Sequence, residues 1–542
     1  MVTGPSHAQK LKKEDQALIT NLKTHIGYLA NDKLEGRRTG TEGERLAALY
    51  ISGLFQAAGL EPKGTDNYYQ PFEIGEGRMI NPSTHLVINE TDLVLGKDFF
   101  PLTSSPNGAL TAVASLSLQE SKTPWFMDLK ETLEANKDNP HFDIADAVKT
   151  AATKMAAKGA TALIVYNTSA MSDNLAFDGK EATEAAPIPI VYLNKDAAKK
   201  ILSDETASLD INLKTDIGPK TRKGTNVAGF INNGAAHTVV LGAHFDHLGW
   251  GEDNNSMQRT GPKAIHNGAD DNASGTAALI ELARLLKASK WKQNNYLFVA
   301  FSGEELGLYG SKYFVEHPTI DLSSVDYMVN MDMLGRLSDS SHTITVGGYG
   351  TTPTWGQLYA LTGKKKLYAD NLVYRFDSSG VGPSDHTSFY NKGIPVLFYF
   401  TGIHSDYHRP SDDAEKINYS GEAVVIKHIL NVIEKVNASK EKLAFTKTRD
   451  LQMGSSTKFS VTMGIMPDYT FSGTGLRVDA VSDARPAKAA GIQTGDIITA
   501  LGEHKVTSVE TYMQALGKFK KGDKTAVTYI RNNNSATTTI QF

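Results

Sequence analysis

Residues 237–246 read HTVVLGAHFD, and residues 295–305 read NYLFVAFSGEE. Each segment begins as a continuous apolar run rich in β-branched or aromatic residues and ends in charged side chains, which is typical of a buried strand that reaches a sheet edge. Between them, residues 276–289 (TAALIELARLLKAS) repeat apolar positions at the spacing of an amphipathic helix. The order strand, helix, strand predicts parallel strands in an α/β domain.

The same alternation extends on both sides of this unit. Strand-like runs occur at 325–335 (VDYMVNMDMLG) and 394–400 (IPVLFYF), and helical patterns occur at 308–317 and 422–437. The segments 14–30 and 42–59 are also amphipathic and predict two helices near the N-terminus. We therefore predict an α/β fold with a mixed, mostly parallel sheet flanked by helices.

The remaining chain divides into further segments, as a length of 542 residues leads us to expect. Short β-rich runs with few helical stretches fill residues 85–215, where no His and acidic residues cluster at metal-ligand spacing, so we expect a noncatalytic insert. Short strands and turns rich in Gly and Asn follow residue 458, after a polar linker at 446–454. The predicted domain bounds are 8–84 and 219–445 for the α/β domain, 85–218 for the insert and 456–542 for the last domain.

Composition excludes some classes of protein. The formal net charge of −4 is not the positive charge expected of a protein that binds nucleic acid or an anionic membrane. No apolar run has the length of a membrane-spanning helix. There is no cysteine, which excludes disulfides and thiolate zinc sites. The first fifteen residues, MVTGPSHAQKLKKED, lack an apolar signal core. We expect a periplasmic or secreted protein whose signal peptide is not present in this chain.

Potential metal ligands follow the predicted strands at the points where the strands end. The five potential ligands are His244, Glu305, Asp332 and His408 at these positions and Asp271 before the helix at 276–289, and the carboxylates of Asp246 and Glu304 accompany them. Ligands of an open parallel sheet bind outside the carboxyl ends of its strands, so these side chains are expected to converge. Imidazole nitrogens and carboxylate oxygens are suitable zinc ligands.

Each candidate residue has a chemical role that its position suggests. Two cations a few ångströms apart repel each other, and the carboxylate of either Asp270 or Asp271 is a candidate for bridging them. Glu304 is next to the ligand Glu305 and is a candidate general base, while Tyr407 is placed to stabilise a developing oxyanion. Asp246 lies on the same strand face as His244 and is expected to orient either its ring or its backbone.

Taken singly, these motifs are weak. An adjacent Glu pair is usually solvated, and the Asp pair before a helix is equally typical of an N-cap. Four further histidines are interpreted as supporting polar residues rather than ligands: His247, His266, His386 and His404. The prediction depends on the conjunction of correct donor types on matching strand ends.

The segments GAHFDHLG, HNGADDNASG, FSGEELGLYGS, NMDMLGR and DYHRPSDD resemble those of the co-catalytic zinc aminopeptidases of the bacterial leucyl aminopeptidase type. Glutamate carboxypeptidase II and the transferrin receptor are distant relatives of that family. The resemblance implies that His244 and Asp332 bind one zinc ion, Glu305 and His408 bind the other, and Asp271 bridges them. It also implies that Glu304 is the general base, that Asp246 is a partner of His244, and that Tyr407 polarises the carbonyl.

The flanking segments carry resemblances of their own. The insert, through TALIVYN and IPIVYLNKDAAKKIL, is similar to a protease-associated domain. The segment from Gly475 to Leu516 resembles a PDZ domain of the permuted bacterial kind, with VTMGIMPDY as its carboxylate-binding loop. This domain is expected either to hold a peptide C-terminus or to be a stabilising appendage with an idle groove.

Together these features predict an aminopeptidase with two Zn²⁺ ions, in which Glu304 deprotonates a water between the metals. Peptides are the expected substrates, and neither nucleic acid nor a transmembrane segment is expected. A carboxypeptidase or dipeptidase of the same fold stays an alternative, since Arg336, Arg375 and Arg409 are available for a substrate carboxylate. A noncatalytic binding protein is the other alternative.

Overall fold

The structure is a computed structural model that describes residues 13–542 except 140–141, 205, 259, 361–370, 439–440, 449–460, 468–472, 483–484 and 508. The chain divides into two compact units, of which one is Glu73–Arg222 and the other joins Met1–Phe72 to Lys223–Phe542. The expectations for residues 1–12, for most of the linker and for the end of the VTMGIMPDY loop lie outside the described residues. The domain bounds given above stay predictions.

Helices and strands are numbered in chain order over the described residues. The helices are α1 (Lys13–Leu29), α2 (Glu42–Ala57), α3 (Lys130–Ala135), α4 (Ile144–Ala157), α5 (Lys195–Ile201), α6 (Gly275–Ala288), α7 (Tyr309–Glu316), α8 (Pro353–Ala360), α9 (His386–Tyr390), α10 (Tyr419–Asn437), α11 (Pro486–Ala489) and α12 (Val509–Leu516). The strands are β1 (Glu61–Pro62), β2 (Tyr69–Ile80), β3 (His85–Ile88), β4 (Thr91–Leu93), β5 (Phe99–Pro101), β6 (Gly108–Ser115), β7 (Pro124–Asp128), β8 (Ala162–Tyr166), β9 (Ile190–Leu193), β10 (Ser208–Thr215), β11 (Ile217–Ile231), β12 (His237–His244), β13 (Asn294–Phe301), β14 (Val325–Met331), β15 (Thr343–Gly347), β16 (Val373–Phe376), β17 (Val396–Phe400), β18 (Ile465–Pro467), β19 (Leu476–Val481), β20 (Ile497–Leu501), β21 (His504–Lys505), β22 (Lys524–Arg531) and β23 (Asn534–Gln541).

The main sheet has the strand order β1-β11-β13-β12-β14-β17-β15-β16, with β2 beside β11. β12 is parallel to both β13 and β14, and β14 is parallel to β17. β11 and β15 are antiparallel to their neighbours β13 and β17. The prediction of a mixed, mostly parallel sheet is confirmed, and the carboxyl ends of four adjacent strands meet at one edge.

The central strands are continuously apolar because both of their faces are buried. Val239 and Leu241 of β12 pack into one core, which α1, α2, α6 and α10 cover, while Val240 packs into a second core with Phe314 of α7. Successive side chains of a strand point to opposite faces, so a strand between two helical layers needs apolar residues at every position. Full burial of each such side chain contributes about 1.5–3 kcal/mol.

The other parts of the chain form smaller sheets. Within the unit Glu73–Arg222, the strand orders are β4-β3-β10-β6 and β5-β9-β8-β7. The C-terminal strands form the order β18-β19-β20-β22-β23, with β21 beside β20, around a core that includes Leu476, Ile498 and Val527. The likeness of the insert to a protease-associated domain stays a prediction. No helix in the described part of the chain is both long and apolar enough to cross a membrane.

Candidate metal centre

The predicted ligands lie together at the carboxyl edge of the main sheet. His244 Nε2 lies 3.4 Å from Asp271 Oδ1 and 3.4 Å from Asp332 Oδ1. His408 Nε2 lies 3.2 Å from Asp271 Oδ2 and 3.2 Å from Glu305 Oε2. The two carboxylate oxygens of Asp271 therefore face two different histidines, each of which faces one further carboxylate.

Local structure holds these side chains at the sheet edge. His244 is the last residue of β12, and Asp332 directly follows β14. Asp271 lies in the turn before α6, and both its backbone N–H and that of Asp270 donate to Asp412 Oδ2, at 3.1 and 2.9 Å. The Asp412 carboxylate thereby fixes the turn that presents Asp271.

The hydrogen bonds of the histidine rings determine which ring nitrogen faces the carboxylates as an acceptor. His408 Nδ1 lies 2.9 Å from the carbonyl oxygen of Asn255, and His244 Nδ1 lies 3.2 Å from the carbonyl oxygen of Asp246. A carbonyl oxygen only accepts, so the network assigns the proton of each neutral ring to Nδ1. Each Nε2 then directs a lone pair at carboxylate oxygens, an arrangement that calls for positive charge between them.

Electrostatics of the chain alone lead to the same conclusion. Burial by itself would lower the pKa of His244, but the negative charges of Glu304 and Asp332 raise this pKa well above its usual range. Burial would likewise lower the pKa of His408, but the negative charge of Glu305 raises this pKa well above its usual range. The cluster therefore attracts cations strongly, whether protons or metal ions.

The distances between donor atoms fit a tetrahedral zinc site. Zinc–nitrogen and zinc–oxygen bonds of about 2.0–2.2 Å at tetrahedral angles place neighbouring ligand atoms about 3.3–3.5 Å apart. The four nitrogen–oxygen separations of 3.2–3.4 Å at His244 and His408 agree with this geometry. The residues present therefore fit two such ions that share the Asp271 carboxylate.

His247 also approaches the cluster, because it groups with Asp271 and Glu305 at distances that a metal site allows. Its Nδ1 lies only 2.7 Å from Glu305 Oε1. That separation is a hydrogen bond and is too short for a zinc ion held by both atoms. We therefore favour His408 as the ligand and His247 as a donor that orients Glu305.

The other histidines interpreted as supporting residues lie among protein partners. His266 Nε2 is 2.7 Å from Ser256 Oγ, and His404 Nε2 is 3.1 Å from Asp270 Oδ2. Burial lowers the pKa of His386 to about 3, so this ring stays neutral. His266 and His404 thus contact protein groups, whereas His386 Nδ1 has no hydrogen-bond partner among the described residues, and the supporting roles of these histidines stay predictions.

Glu304 lies beside the cluster, and Asp246 holds its backbone. Glu304 Oε2 is 4.0 Å from His244 Nε2. Burial raises the Glu304 pKa well above its usual value, although the charge of His244 opposes this rise. Asp246 Oδ1 accepts the Glu304 backbone N–H at 3.2 Å but lies 3.7 Å from His244 Nδ1. The Asp246 carboxylate thus positions Glu304 more directly than it orients the histidine ring.

Sequence reasoning missed the N-terminal residues that support this arrangement. Thr39 Oγ1 donates to Asp246 Oδ2 at 2.9 Å. Arg37 is fully buried and donates to the carbonyl oxygens of Phe245, Asn267 and Gly268 at 2.7, 2.7 and 3.0 Å. Both residues belong to a polar, glycine-rich loop, and no periodicity there distinguishes a buried arginine from a solvated one.

The cluster opens into a cavity of about 420 Å³ that Tyr407 also lines. The Tyr407 ring stacks on His408 with 3.9 Å between ring centroids. Burial and the nearby carboxylates raise the Tyr407 pKa well above its usual value, so the phenol keeps its proton. Tyr407 can therefore donate a hydrogen bond to a group bound in the cavity.

Comparison with known proteins agrees with this geometry. Residues 226–433 match "Peptidase family M28". Over this segment the chain is similar to that family. Residues 444–542 match "PDZ domain". The M28 segment contains every proposed metal ligand, and the PDZ segment contains the C-terminal sheet.

Curated relatives of this chain include enzymes of two bacteria. Aminopeptidase YwaD of Bacillus subtilis (strain 168) is 26% identical over 273 residues, which are 48% of this chain and 54% of that protein. Leupeptin-inactivating enzyme 1 of Streptomyces exfoliatus is 33% identical over 152 residues, which are 28% of this chain and 32% of that protein. The chain thus spans only about half of the first relative and a third of the second. A solved zinc aminopeptidase from Bacillus subtilis aligns with a TM-score of 0.41 at 20% identity, covering 79% of this chain and 98% of that one.

Proposed function

We propose that this chain is a di-zinc aminopeptidase that removes N-terminal residues from peptides. The observation that carries the proposal is the Asp271 carboxylate, whose two oxygens face His244 and His408 at 3.4 and 3.2 Å. A carboxylate placed in this way is suited to bridge two cations, as in other two-metal hydrolases. The M28 match, together with relatives named as aminopeptidases, favours peptides with a free N-terminus as substrates.

In this proposal, His244 and Asp332 would hold one zinc ion, Glu305 and His408 would hold the other, and both ions would share the carboxylate of Asp271. When bound, the ions supply Lewis-acid polarisation of the peptide carbonyl and lower the pKa of the attacking water.

The protein's own groups move the protons and bind the developing charge. Glu304 takes a proton from the attacking water and transfers it to the leaving amine. Asp246 keeps Glu304 in place through the backbone N–H. Tyr407 donates a hydrogen bond to the negatively charged oxygen of the tetrahedral intermediate.

Metal analysis and a substrate comparison test the proposal. We expect two zinc ions per chain, hydrolysis of aminoacyl chromogenic substrates with a free amine, loss of that hydrolysis with a chelator and recovery with added zinc. The N-acetylated forms of the same substrates should resist cleavage. Cleavage of N-blocked substrates alone would indicate a carboxypeptidase of the same fold, and a chain that binds no zinc would indicate a noncatalytic binding protein.

Two further expectations belong to this proposal. The PDZ segment favours binding of a peptide, and we propose a peptide C-terminus as its ligand. A periplasmic or secreted location stays a prediction, which fractionation of the native cells would test.

A further inference from the structure

The cavity beside the metal centre has a floor that extends away from it along three strands. Thr345 of β15 pairs with Arg375 of β16 and with Phe400 of β17. Paired residues on neighbouring strands point to the same face, so these three side chains form one row. All three line the cavity that His244 and Glu304 also line.

The opposite wall comes from the PDZ segment, which lies in the same compact unit as the peptidase residues. Pro467 of β18 and Arg477 of β19 both line the cavity. Ser482 Oγ lies 3.0 Å from Met257 Sδ, and the Met257 backbone N–H donates to the carbonyl oxygen of His408 at 2.9 Å. The PDZ segment is thus connected to the metal centre through a short series of contacts.

The charges of the cavity are divided between acidic groups and two guanidinium groups. Asp271, Glu304, Asp332 and Asp377 line it together with Arg375 and Arg477. Within the described part of the chain, no ion pair or hydrogen bond of the Arg375 side chain is found, and this residue is exposed. A guanidinium group binds a carboxylate through two parallel hydrogen bonds, whereas the metal cluster would engage the reacting amide.

We propose that Arg375 and Arg477 bind a substrate carboxylate on the C-terminal side of the cleaved bond, so that the preferred substrates are short peptides. This inference rests on the proposed aminopeptidase function and adds a specificity role for a PDZ residue. Both arginines line the same cavity of about 420 Å³ as His244 and Glu304, so one short peptide bound in it can contact the metal centre and the arginines together. The carboxylate can come from the peptide C-terminus or from an Asp or Glu side chain.

Binding to the zinc-loaded Glu304→Gln chain tests the proposal without turnover. Calorimetry would compare three versions of one tripeptide: Xaa-Gly-Gly, its C-terminal amide, and Xaa-Gly-Glu amide, where Xaa is the residue preferred in chromogenic substrates. We expect the free acid to bind about tenfold or more tightly than the amide, as charge-assisted hydrogen bonds imply. Recovery of affinity by the Glu-containing amide would identify any carboxylate at this position as sufficient, and its absence would identify the C-terminus as the source.

Substitutions in the same background identify the residues. Arg477→Ala and Arg375→Ala should each reduce the acid-to-amide affinity ratio, and Arg477→Lys should reduce it less because the charge remains without the planar fork. Lys524→Ala, an exposed cation of β22 that does not line the cavity, is the control and should keep the parent ratio. Because Arg375 and Arg477 lie in different domains, a folding defect in one variant leaves the other as an independent measurement.

The outcomes separate this inference from the proposed function. Equal affinity for acid and amide in the parent, or a preference that survives both alanine substitutions, overturns the carboxylate anchor. An arginine-dependent preference in a chain whose wild-type form cleaves no free-amine peptide supports the anchor and overturns the aminopeptidase. Cleavage of free-amine peptides by the wild type, without tighter binding of the acid than of the amide, supports the aminopeptidase and overturns the carboxylate anchor.

Discussion

Substitution of Arg37 by methionine removes the buried cation that joins the N-terminal loop to the backbone around two proposed metal ligands. Its guanidinium donates to the carbonyl oxygen of Phe245, next to His244, and to those of Asn267 and Gly268 in the turn before Asp271. A fourth bond, 2.5 Å long, reaches the carbonyl oxygen of Leu29. Methionine keeps an apolar stem of similar length but leaves all four carbonyl groups without this donor.

The magnitude follows from two opposing contributions. Four hydrogen bonds from a charged donor contribute about 1.5 kcal/mol or more each, roughly 6 kcal/mol together. Burial lowers the Arg37 pKa from 12.5 to about 10, with partial compensation from nearby carboxylates. At 1.36 kcal/mol per pKa unit, that shift offsets about 3 kcal/mol. We expect Arg37→Met to reduce the free energy of unfolding by about 3 kcal/mol.

The neighbouring arginine is a matched control. Arg38 binds Asp253 at 2.7 and 2.9 Å, but both side chains are partly exposed. Exposed ion pairs contribute about 0–1 kcal/mol, so Arg38→Met should have a small effect. Urea unfolding followed by tryptophan fluorescence, with and without zinc, would measure both variants. An equal loss in the free energy of unfolding in the two variants would refute the role assigned to Arg37. Unchanged zinc affinity in a destabilised Arg37→Met chain would also refute it, because Arg37 is assigned to hold the backbone beside His244 and Asp271.

Other predictions concern the proposed general base, the residue that supports it and a buried acid. Glu304→Gln should keep its zinc and lose about 10²–10⁴-fold in kcat, because proton transfer is removed while the ligands remain; wild-type turnover would exclude Glu304 from the mechanism. Thr39→Val removes the hydroxyl that donates to Asp246 Oδ2 and should lower kcat by about fivefold, equivalent to about 1 kcal/mol, with Thr39→Ser as the control that keeps the bond. Both oxygens of the buried Glu422 carboxyl lack a hydrogen-bond partner among the described residues, and burial raises its pKa well above the usual value. The folded state therefore holds this proton more tightly than the unfolded state, and stability present at low pH is lost as the pH rises above the unfolded pKa. Glu422→Met should be more stable than the wild type at pH 8 by about 1–3 kcal/mol, and urea unfolding at pH 5 should show a smaller difference; an equal difference at both pH values would contradict the reasoning.

The secondary structure of the peptidase part was predictable because its signals are local. The helical pattern at 276–289 corresponds to α6 at Gly275–Ala288, and the pattern at 14–30 corresponds to α1 at Lys13–Leu29. The strand predicted at 237–246 ends at His244, two residues before the end of the predicted segment. Continuous apolar strands between amphipathic helices have one stable arrangement, with helices on both faces of a sheet.

The supporting contacts were not predictable in the same way. Asp246 was expected to orient the ring or the backbone of His244, which stays a prediction, but nothing in the sequence indicated that its carboxylate also accepts the Glu304 backbone N–H and the Thr39 hydroxyl. Arg37 and Arg38 are adjacent in a polar loop, although one is fully buried and the other pairs near the surface. The local sequence does not indicate which of two adjacent arginines will donate hydrogen bonds to backbone carbonyl groups of distant segments.

The sequence alone determined which donor types stand at the strand ends, because the carboxyl ends of neighbouring parallel strands must share one edge. Only the tertiary structure decided that the two oxygens of Asp271 face different histidines and that Arg477 lines the same cavity as His244. These relations join residues far apart along the chain, and their distances depend on how helices, loops and domains pack. Periodicity reports the face of an element on which a side chain lies, whereas packing determines what that side chain meets.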